Sequence, residues 1–178
     1  MVLAGAALTN AMLAPSTGAA ASAAYYGYCP DGSASAVYYT YCPPPNRPPD
    51  CSNVAASPTT LWPPNHRLVL VTLSGAADPD GDAVTLTITG VTQDEPLNGV
   101  GDGNTSPDAQ SGALPNTVHL RAERSGTGDG RVYRISFTGS DGLGGTCSGT
   151  VTVGVPHDMG QGSTAIDSAP PSFDSFGP

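Results

Sequence analysis

The sequence contains no lysine, only two glutamates, and no stretch that combines helical periodicity with capping residues. All six basic residues are arginine, and the formal net charge is -9. This balance argues against nucleic-acid binding, because proteins take most of their affinity for nucleic acids from lysine and arginine contacts to phosphates. Charged residues make up 12% of the chain. The acidic excess fits a solvated surface that attracts cations.

Sequence signatures of catalysis are also missing. The chain has neither the Gly-x-Ser-x-Gly pattern of a nucleophile elbow nor the His-Glu-x-x-His pattern of a zinc protease. A glycosidase needs two opposed carboxylates about 5–10 Å apart. The chain has two glutamates, Glu95 and Glu123, and we expect both to have structural roles instead of catalytic ones. We expect Glu123 to form an ion pair with Arg131, with completion of a metal site as the alternative. The sequence therefore predicts no enzymatic activity.

The first 23 residues carry no charged side chain and are rich in alanine, leucine and glycine. Residues 2–14 have the length of the apolar region of a signal peptide, and residues 21–23 (Ala-Ser-Ala) have the form of a cleavage site. The basic residues expected before such a region are absent, so either translation starts upstream or this is an apolar tail of another kind. A membrane-spanning helix needs about 20 consecutive apolar residues, and polar residues and a proline interrupt this stretch. We predict a secreted or cell-surface protein whose mature chain has no membrane span.

Glycine (23 residues) and proline (18 residues) are abundant, so turns must be many and helices few. Beyond the signal-peptide-like segment 1–23, the chain divides into three parts. Residues 24–50 form a head and linker rich in tyrosine and proline, and residues 51–158 carry the hydrophobic periodicity. Residues 159–178 are rich in glycine, serine and proline, and we predict that they form a disordered tail.

Four cysteines in an exported chain indicate two disulfides, for which three pairings exist. Cys29 and Cys42 lie in near-copies of one Tyr-Tyr-x-Tyr-Cys-Pro motif, and pairing them would close a small hairpin. That leaves Cys51 with Cys147, a bond that would tie the start of the main domain to its last strand. If all four pair, no thiol nucleophile remains. Their spacing does not match cysteine-rich zinc sites.

Alternation of apolar and polar residues predicts strands over most of the main domain. The candidate strands are residues 66–74, 83–92, 116–123, 131–138 and 146–155. Asp-Gly turn signals at 80–81, 129–130 and 141–142 separate several of them. The connection 93–115 shows no strand pattern, and a loop of this length is usually functional or disordered. We predict an all-β fold, an antiparallel immunoglobulin-like β-sandwich of about seven strands, with a disulfide hairpin before it.

Several short motifs together resemble a bacterial secreted immunoglobulin-like module. They are residues 61–66 (Leu-Trp-Pro-Pro-Asn-His), 95–99 (Glu-Pro-Leu-Asn-Gly), 101–103 (Gly-Asp-Gly), Asp108, 120–126 (Leu-Arg-Ala-Glu-Arg-Ser-Gly), 130–133 (Gly-Arg-Val-Tyr) and 155–158 (Val-Pro-His-Asp). The turn 77–82 is similar to those of bacterial cadherin-like and PKD-like domains. The resemblance covers about 100 residues, on the order of one whole domain. It implies a β-sandwich without catalytic activity that acts in adhesion, spacing or surface assembly.

The loop after residue 93 is the main candidate for calcium binding. Oxygen-bearing side chains recur at alternate residues, including Asp102, Asn104 and Asp108, and calcium takes six to eight oxygen ligands, at about 2.3–2.6 Å. Pro107 and Ala113 stand where an EF-hand has its glycine and its glutamate, so the loop is not an EF-hand. Glu95 is the outside carboxylate that we expect to complete the site. The alternative is a solvated acidic loop without metal.

A second acidic turn contains Asp78, Asp80 and Asp82 at the same alternate spacing. We include these three aspartates among the candidate calcium ligands. The alternative is an ordinary Asp-Gly turn between strands, since such turns are common without metal.

The head concentrates six of the seven tyrosines, and tyrosine is enriched at interfaces. These candidate binding residues are Tyr25, Tyr26, Tyr28, Tyr38, Tyr39 and Tyr41. The leading hypothesis is a secreted, non-enzymatic, calcium-stabilised module for cell-surface or extracellular adhesion or assembly. Its partner would be an extracellular protein or glycan, or a second copy. The alternatives are a carbohydrate-binding protein that uses the head or Trp62, and a self-assembling structural subunit.

Overall fold

A computed structural model of the chain describes residues 27–28, 34–35, 44–160, 163–168 and 170–177. The chain separates into two compact units, Met1–Pro45 and Asn46–Pro178. In the first unit, β1 (Gly27–Tyr28) pairs antiparallel with β2 (Ala34–Ser35). The predicted signal-peptide-like segment 1–23, the Cys29–Cys42 pair and the side chains of the six head tyrosines lie outside the described residues.

The second unit consists of two antiparallel sheets of four strands each, and its described residues contain no helix. Its strands are β3 (Ala55–Ser57), β4 (Leu68–Ser74), β5 (Thr85–Gln93), β6 (Ala109–Ser111), β7 (Thr117–Arg121), β8 (Arg131–Ser140), β9 (Thr146–Val155) and β10 (Phe173–Asp174). Sheet 1 has the order β3-β4-β7-β6, and sheet 2 has the order β10-β5-β8-β9. The all-β prediction is confirmed.

The strand order is that of an immunoglobulin constant-type sandwich. In that fold, strands A, B, E and D form one sheet, and strands C, F and G form the other. Assigning the letters A to G to β3 through β9 in chain order reproduces both sheets, and β10 is added beside strand C. The prediction of about seven strands in an immunoglobulin-like sandwich is therefore confirmed, with one strand more than expected.

Core packing follows the predicted alternation on most strands. In β8, Tyr133, Ile135 and Phe137 are buried between the sheets, and in β9 the odd-numbered residues face the core. β5 departs from simple alternation, because its pairing with β8 shifts register between Ile88 and Gly90. Such a bulge puts one extra residue into a strand and reverses which side chains point inward.

The disulfide between Cys51 and Cys147 is present, as predicted. It joins the segment before β3 to strand β9, so it links the chain leading into sheet 1 with the edge of sheet 2. Gly139 on β8 lies opposite Cys147, and a Cβ atom there would be 2.9 Å from the Cys147 sulfur. Only glycine therefore leaves room for the disulfide against β8.

Two regions differ from the sequence prediction. The long connection after residue 93 contains the short strand β6, which pairs with β7. The predicted disordered tail instead contributes β10, which pairs with the end of β5, and Phe176, which packs against the core. Across the described residues, no helix is long and apolar enough to cross a membrane.

Candidate functional site

Arg131 lies fully buried at the start of β8 and is the centre of a cluster of acidic side chains. Its Nη1 donates to Asp108 at 2.7 Å, and its Nε donates to Glu95 at 3.1 Å. Carboxylate oxygens of Asp102 and Glu123 lie 3.9 Å and 3.8 Å from its guanidinium nitrogens. One guanidinium therefore contacts four carboxylates. We call these five residues the Arg131 cluster.

The fold brings these groups together at one end of the sandwich. Glu95 follows β5, Asp108 precedes β6, Glu123 follows β7, and Arg131 begins β8. Because strand ends of a sandwich converge at its two ends, residues far apart in sequence meet there. Asp102 lies in the loop between β5 and β6 and accepts backbone N–H groups from Gly99 and Asn104 within that loop. The Arg131 cluster therefore fastens the long loop to the domain.

Glu123 has further partners besides Arg131. Its Oε2 lies 2.9 Å from Nδ1 of His66, whose side chain is 46% exposed, and it accepts a hydrogen bond from the Thr105 hydroxyl. Glu123 itself is fully buried. It therefore connects the segment before β4, the long loop and β8. The predicted ion pair between Glu123 and Arg131 corresponds to the 3.8 Å contact between their side chains.

Residues next to the Arg131 cluster add further hydrogen bonds to it. The buried amide of Gln93 donates to Asp108 at 2.7 Å and to the Glu95 carbonyl at 3.0 Å. Asp94 accepts from the Val132 backbone at 2.8 Å and from the Ser168 backbone at 3.0 Å. Residues 93–95 therefore also bond to the C-terminal segment, through Ser168 and through the pairing of β5 with β10.

Charge in the Arg131 cluster is unbalanced toward the negative side. Arg121 adds a second guanidinium, with its Nε 3.7 Å from Asp108, yet Oδ1 of Asp108 and Oε1 of Glu123 are buried without a hydrogen-bond partner. Burial raises the pKa of Asp108, while the hydrogen bond from Gln93 and the charge of Arg131 oppose that rise. Burial likewise raises the pKa of the Tyr133 hydroxyl, which donates to the Arg121 carbonyl at 2.8 Å. The pKa of Asp108 therefore reflects the balance between its burial and its neighbours Gln93 and Arg131.

The predicted calcium ligands of the long loop do not converge as one set. Glu95, Asp102 and Asp108 face the guanidinium of Arg131, so a side-chain cation already occupies the position between them. Asn104 is exposed and has a positive φ of 52°, which asparagine tolerates better than most residues. The sequence pattern identified the acidic residues but did not identify arginine as their partner.

Asp78, Asp80 and Asp82 do come together in the turn between β4 and β5. Each offers a carboxylate oxygen within 4.8 Å of the other two. Oδ1 of Asp78 accepts the backbone N–H of Asp80 at 2.7 Å, and its Oδ2 is buried without a hydrogen-bond partner. The side chain of Arg47 lies 2.7 Å from the carboxylate of Asp80. Arg47 donates hydrogen bonds to this carboxylate, and they lower the pKa of Asp80. We call these three aspartates the Asp78 turn.

A cavity of about 340 Å³ opens elsewhere, between β5 and the connection from β6 to β7. Thr87, Ser111, Leu114 and Phe176 are among its lining residues, and none of the described residues that line it is titratable. None of these residues therefore has a titratable side chain that could act as a general acid or base. Trp62, the alternative carbohydrate-binding residue, is 44% exposed, whereas its neighbour Leu61 is buried.

Sequence reasoning missed the central position of Arg131 and the roles of Gln93, Asp94 and Thr105. A signal was available, because the Gln-Asp-Glu run at 93–95 directly follows a strand and carries polar side chains into the end of a core. No family model, curated protein or solved structure matches this chain, so the resemblance to the secreted immunoglobulin-like module stays a prediction carried by the motifs alone.

Proposed function

We propose that this chain is a secreted, non-enzymatic, calcium-stabilised immunoglobulin-like module that acts in adhesion or assembly at the cell surface or outside the cell. The observation that carries the proposal is the disulfide between Cys51 and Cys147. Disulfides of this kind persist in oxidising compartments and are rare in reducing cytosol. An immunoglobulin-like sandwich closed by such a bond suits a module exposed outside the cell.

The acidic residues support a structural role over a catalytic one. Asp102, Asp108 and Glu123 are fully buried, and each lies within 4 Å of Arg131. A general acid or base has to reach its substrate within hydrogen-bond distance. Carboxylates enclosed in this way stabilise the loop between β5 and β6 instead.

Fractionation of cells that express the full chain tests the proposed compartment. We expect the protein in the medium or on the cell surface, where protease added to intact cells removes it. A cytosolic marker protein in the same cells is the control and should resist that protease. Recovery of the chain only together with the cytosolic marker would contradict the proposal.

The calcium part of the proposal rests on the Asp78 turn. Its three carboxylates supply the hard oxygen ligands that calcium prefers. Oδ2 of Asp78, buried without a hydrogen-bond partner, is a free acceptor. Calcium there would remove the repulsion between the carboxylates and stiffen the connection between the two sheets. In the Arg131 cluster, by contrast, a fully buried guanidinium lies among the carboxylates, whereas Arg47 beside Asp80 is 59% exposed.

Melting curves with calcium and with EDTA test this part. Calcium at a hundredfold excess over its Kd would contribute about 2.7 kcal/mol. We expect the increase in melting temperature to disappear in Asp78→Asn and to persist in Asp174→Asn, the same change at an exposed aspartate of β10. Identical curves for the unmodified protein in calcium and in EDTA would refute calcium stabilisation.

A carbohydrate-binding module is the second candidate, and the exposure of Trp62 favours it. Exposed aromatic rings supply large contact area at low entropic cost. Retention on an insoluble polysaccharide that is lost in Trp62→Ala, with an unchanged melting temperature, would support this function. Equal retention of both proteins would count against a role for Trp62.

A further inference from the structure

Strand β9 forms one edge of sheet 2 and, before Gly154, lacks the usual protection of an edge strand. It is ten residues long, whereas the other outermost strands of the two sheets, β3, β6 and β10, have three, three and two. Natural proteins protect edges with charged residues, proline, bulges or short strands. Residues 146–155 contain no charged residue and no proline, and β9 pairs with β8 without a bulge.

The free backbone groups of β9 follow from the alternation of hydrogen bonding along a strand. Alternate residues of a strand direct their N–H and C=O groups to opposite sides. Gly154 directs its groups away from β8, because its N–H bonds to Thr59 at 3.0 Å and its carbonyl accepts from Leu61 at 2.9 Å. The other even-numbered residues therefore also face the open edge, and no described residue bonds to their backbone there. These residues are Thr146, Ser148, Thr150 and Thr152.

The side chains of these four residues are exposed, and hydroxyls are their only polar groups. The chain as a whole has a net charge of -9, so most of its surface would repel a second copy. β9 adds nothing to that repulsion, because the strand has no charge of its own. A neutral, hydroxyl-bearing edge fits a copy of itself, since Thr–Thr and Thr–Ser pairs are favourable across antiparallel strands.

We propose that β9 pairs antiparallel with β9 of a second copy of this chain, which joins the two copies of sheet 2 into one continuous sheet. A two-fold axis beside Gly149 uses every free residue. It places Thr146 opposite Thr152 of the second copy and Ser148 opposite Thr150 of the second copy. Each such pair exchanges both of its N–H to carbonyl hydrogen bonds. Gly149 then faces Gly149 of the second copy, with no side chain at the axis.

This register predicts how charges placed on β9 behave. Changing Ser148 and Thr150 together to lysine (S148K/T150K) sets lysines opposite each other in the pair of copies. Changing both to glutamate (S148E/T150E) does the same with glutamates. Each variant alone should be monomeric, because like charges directly opposite destabilise the pairing of strands. A mixture of the two variants should associate, because lysine then faces glutamate in both positions.

Analytical ultracentrifugation of the purified full chain tests this proposal. We expect a concentration-dependent dimer for the unmodified protein, monomers for each double variant alone, and a dimer for their mixture. The control is T85K/T87K, the same change at exposed threonines of β5, which should still dimerise. A monomeric unmodified protein at all concentrations, or a dimer that both double variants leave intact, would overturn the proposal.

Amide hydrogen exchange on the unmodified protein gives a test that does not depend on the variants folding. The N–H groups of Ser148 and Thr150 should become protected as the protein concentration rises, whereas that of Gly154 is protected at every concentration. Protection of Ser148 and Thr150 that does not depend on concentration would mean that another segment of the same chain covers the edge, and would refute the pairing. Either negative result concerns only β9 and leaves the proposed extracellular role untouched.

Discussion

Replacing Arg131 by methionine tests the structural role assigned to the buried acidic residues. The change keeps an unbranched side chain of similar length and removes the charge. It breaks the two close hydrogen bonds to Asp108 and Glu95 and leaves four carboxylates without their shared cation. Hydrogen bonds to charged groups contribute about 1.5–3 kcal/mol each. Removing one partner of a buried ion pair costs about 3–5 kcal/mol.

We therefore expect Arg131→Met to lower the free energy of unfolding by about 3–5 kcal/mol, a large part of the roughly 5–15 kcal/mol that is typical of a domain. Urea unfolding with the disulfide intact measures this quantity through the midpoint and the slope. The matched control is Arg67→Met, at an exposed arginine, which should change stability by less than about 0.5 kcal/mol. Arg131→Lys should give an intermediate loss, because lysine keeps the charge but not the planar fork.

Equal losses of stability in Arg131→Met and Arg67→Met would contradict a stabilising role for the Arg131 cluster. They would show that the guanidinium contributes no more inside the Arg131 cluster than at the surface. If Arg131→Met does not fold, Arg131→Lys carries the test. A lysine variant as stable as the unmodified protein would then contradict the importance of the planar guanidinium that bonds to Asp108 and Glu95 together.

Three further predictions concern the disulfide, the pH dependence and the C-terminal segment. Cys51→Ser together with Cys147→Ser should lower stability by about 2–5 kcal/mol in urea unfolding, and an unchanged midpoint would contradict a stabilising bond. Because burial raises the folded-state pKa of Asp108, the stability it contributes is present below its unfolded pKa of about 3.9 and is lost as pH rises through the folded value. The unmodified protein should therefore gain stability relative to Asp108→Asn as the pH is lowered from about 7 to about 4, and the opposite trend would contradict the raised pKa. Phe176→Ala should lower stability by about 1–3 kcal/mol, against less than about 0.5 kcal/mol for the exposed Ile166→Ala, and equal effects would mean that the C-terminal segment does not pack on the core.

Much of the fold was accessible from sequence because strand alternation and turn residues are local signals. The strand at residues 146–155 was predicted with its observed bounds, and its alternation put Cys147 on the face that reaches Cys51. The shift in β5 was not predictable, because a bulge depends on how the strand pairs with β8. β6 and β10 were missed because strands of three and two residues are too short to show a period.

The candidate site was less accessible for a different physical reason. The pattern of Asp102 and Asp108 correctly suggested that the acidic residues need a positive charge. Nothing in that local pattern says whether the charge is a metal ion or a side chain more than twenty residues away, such as Arg131. Only the arrangement of strand ends in the sandwich answers that question. The Asp78 turn is the opposite case, since its aspartates are neighbours in sequence and come together as the spacing predicted.

The oxidation state of Cys51 and Cys147 in protein collected from intact cells shows whether the chain carries this disulfide where it functions. Free thiols are alkylated before purification, and the cysteine-containing peptides are then identified by mass spectrometry. If the chain is an extracellular module tied by this disulfide, Cys51 and Cys147 will be recovered linked to each other and unalkylated. Recovery of both cysteines as alkylated free thiols would contradict an extracellular module tied by this disulfide.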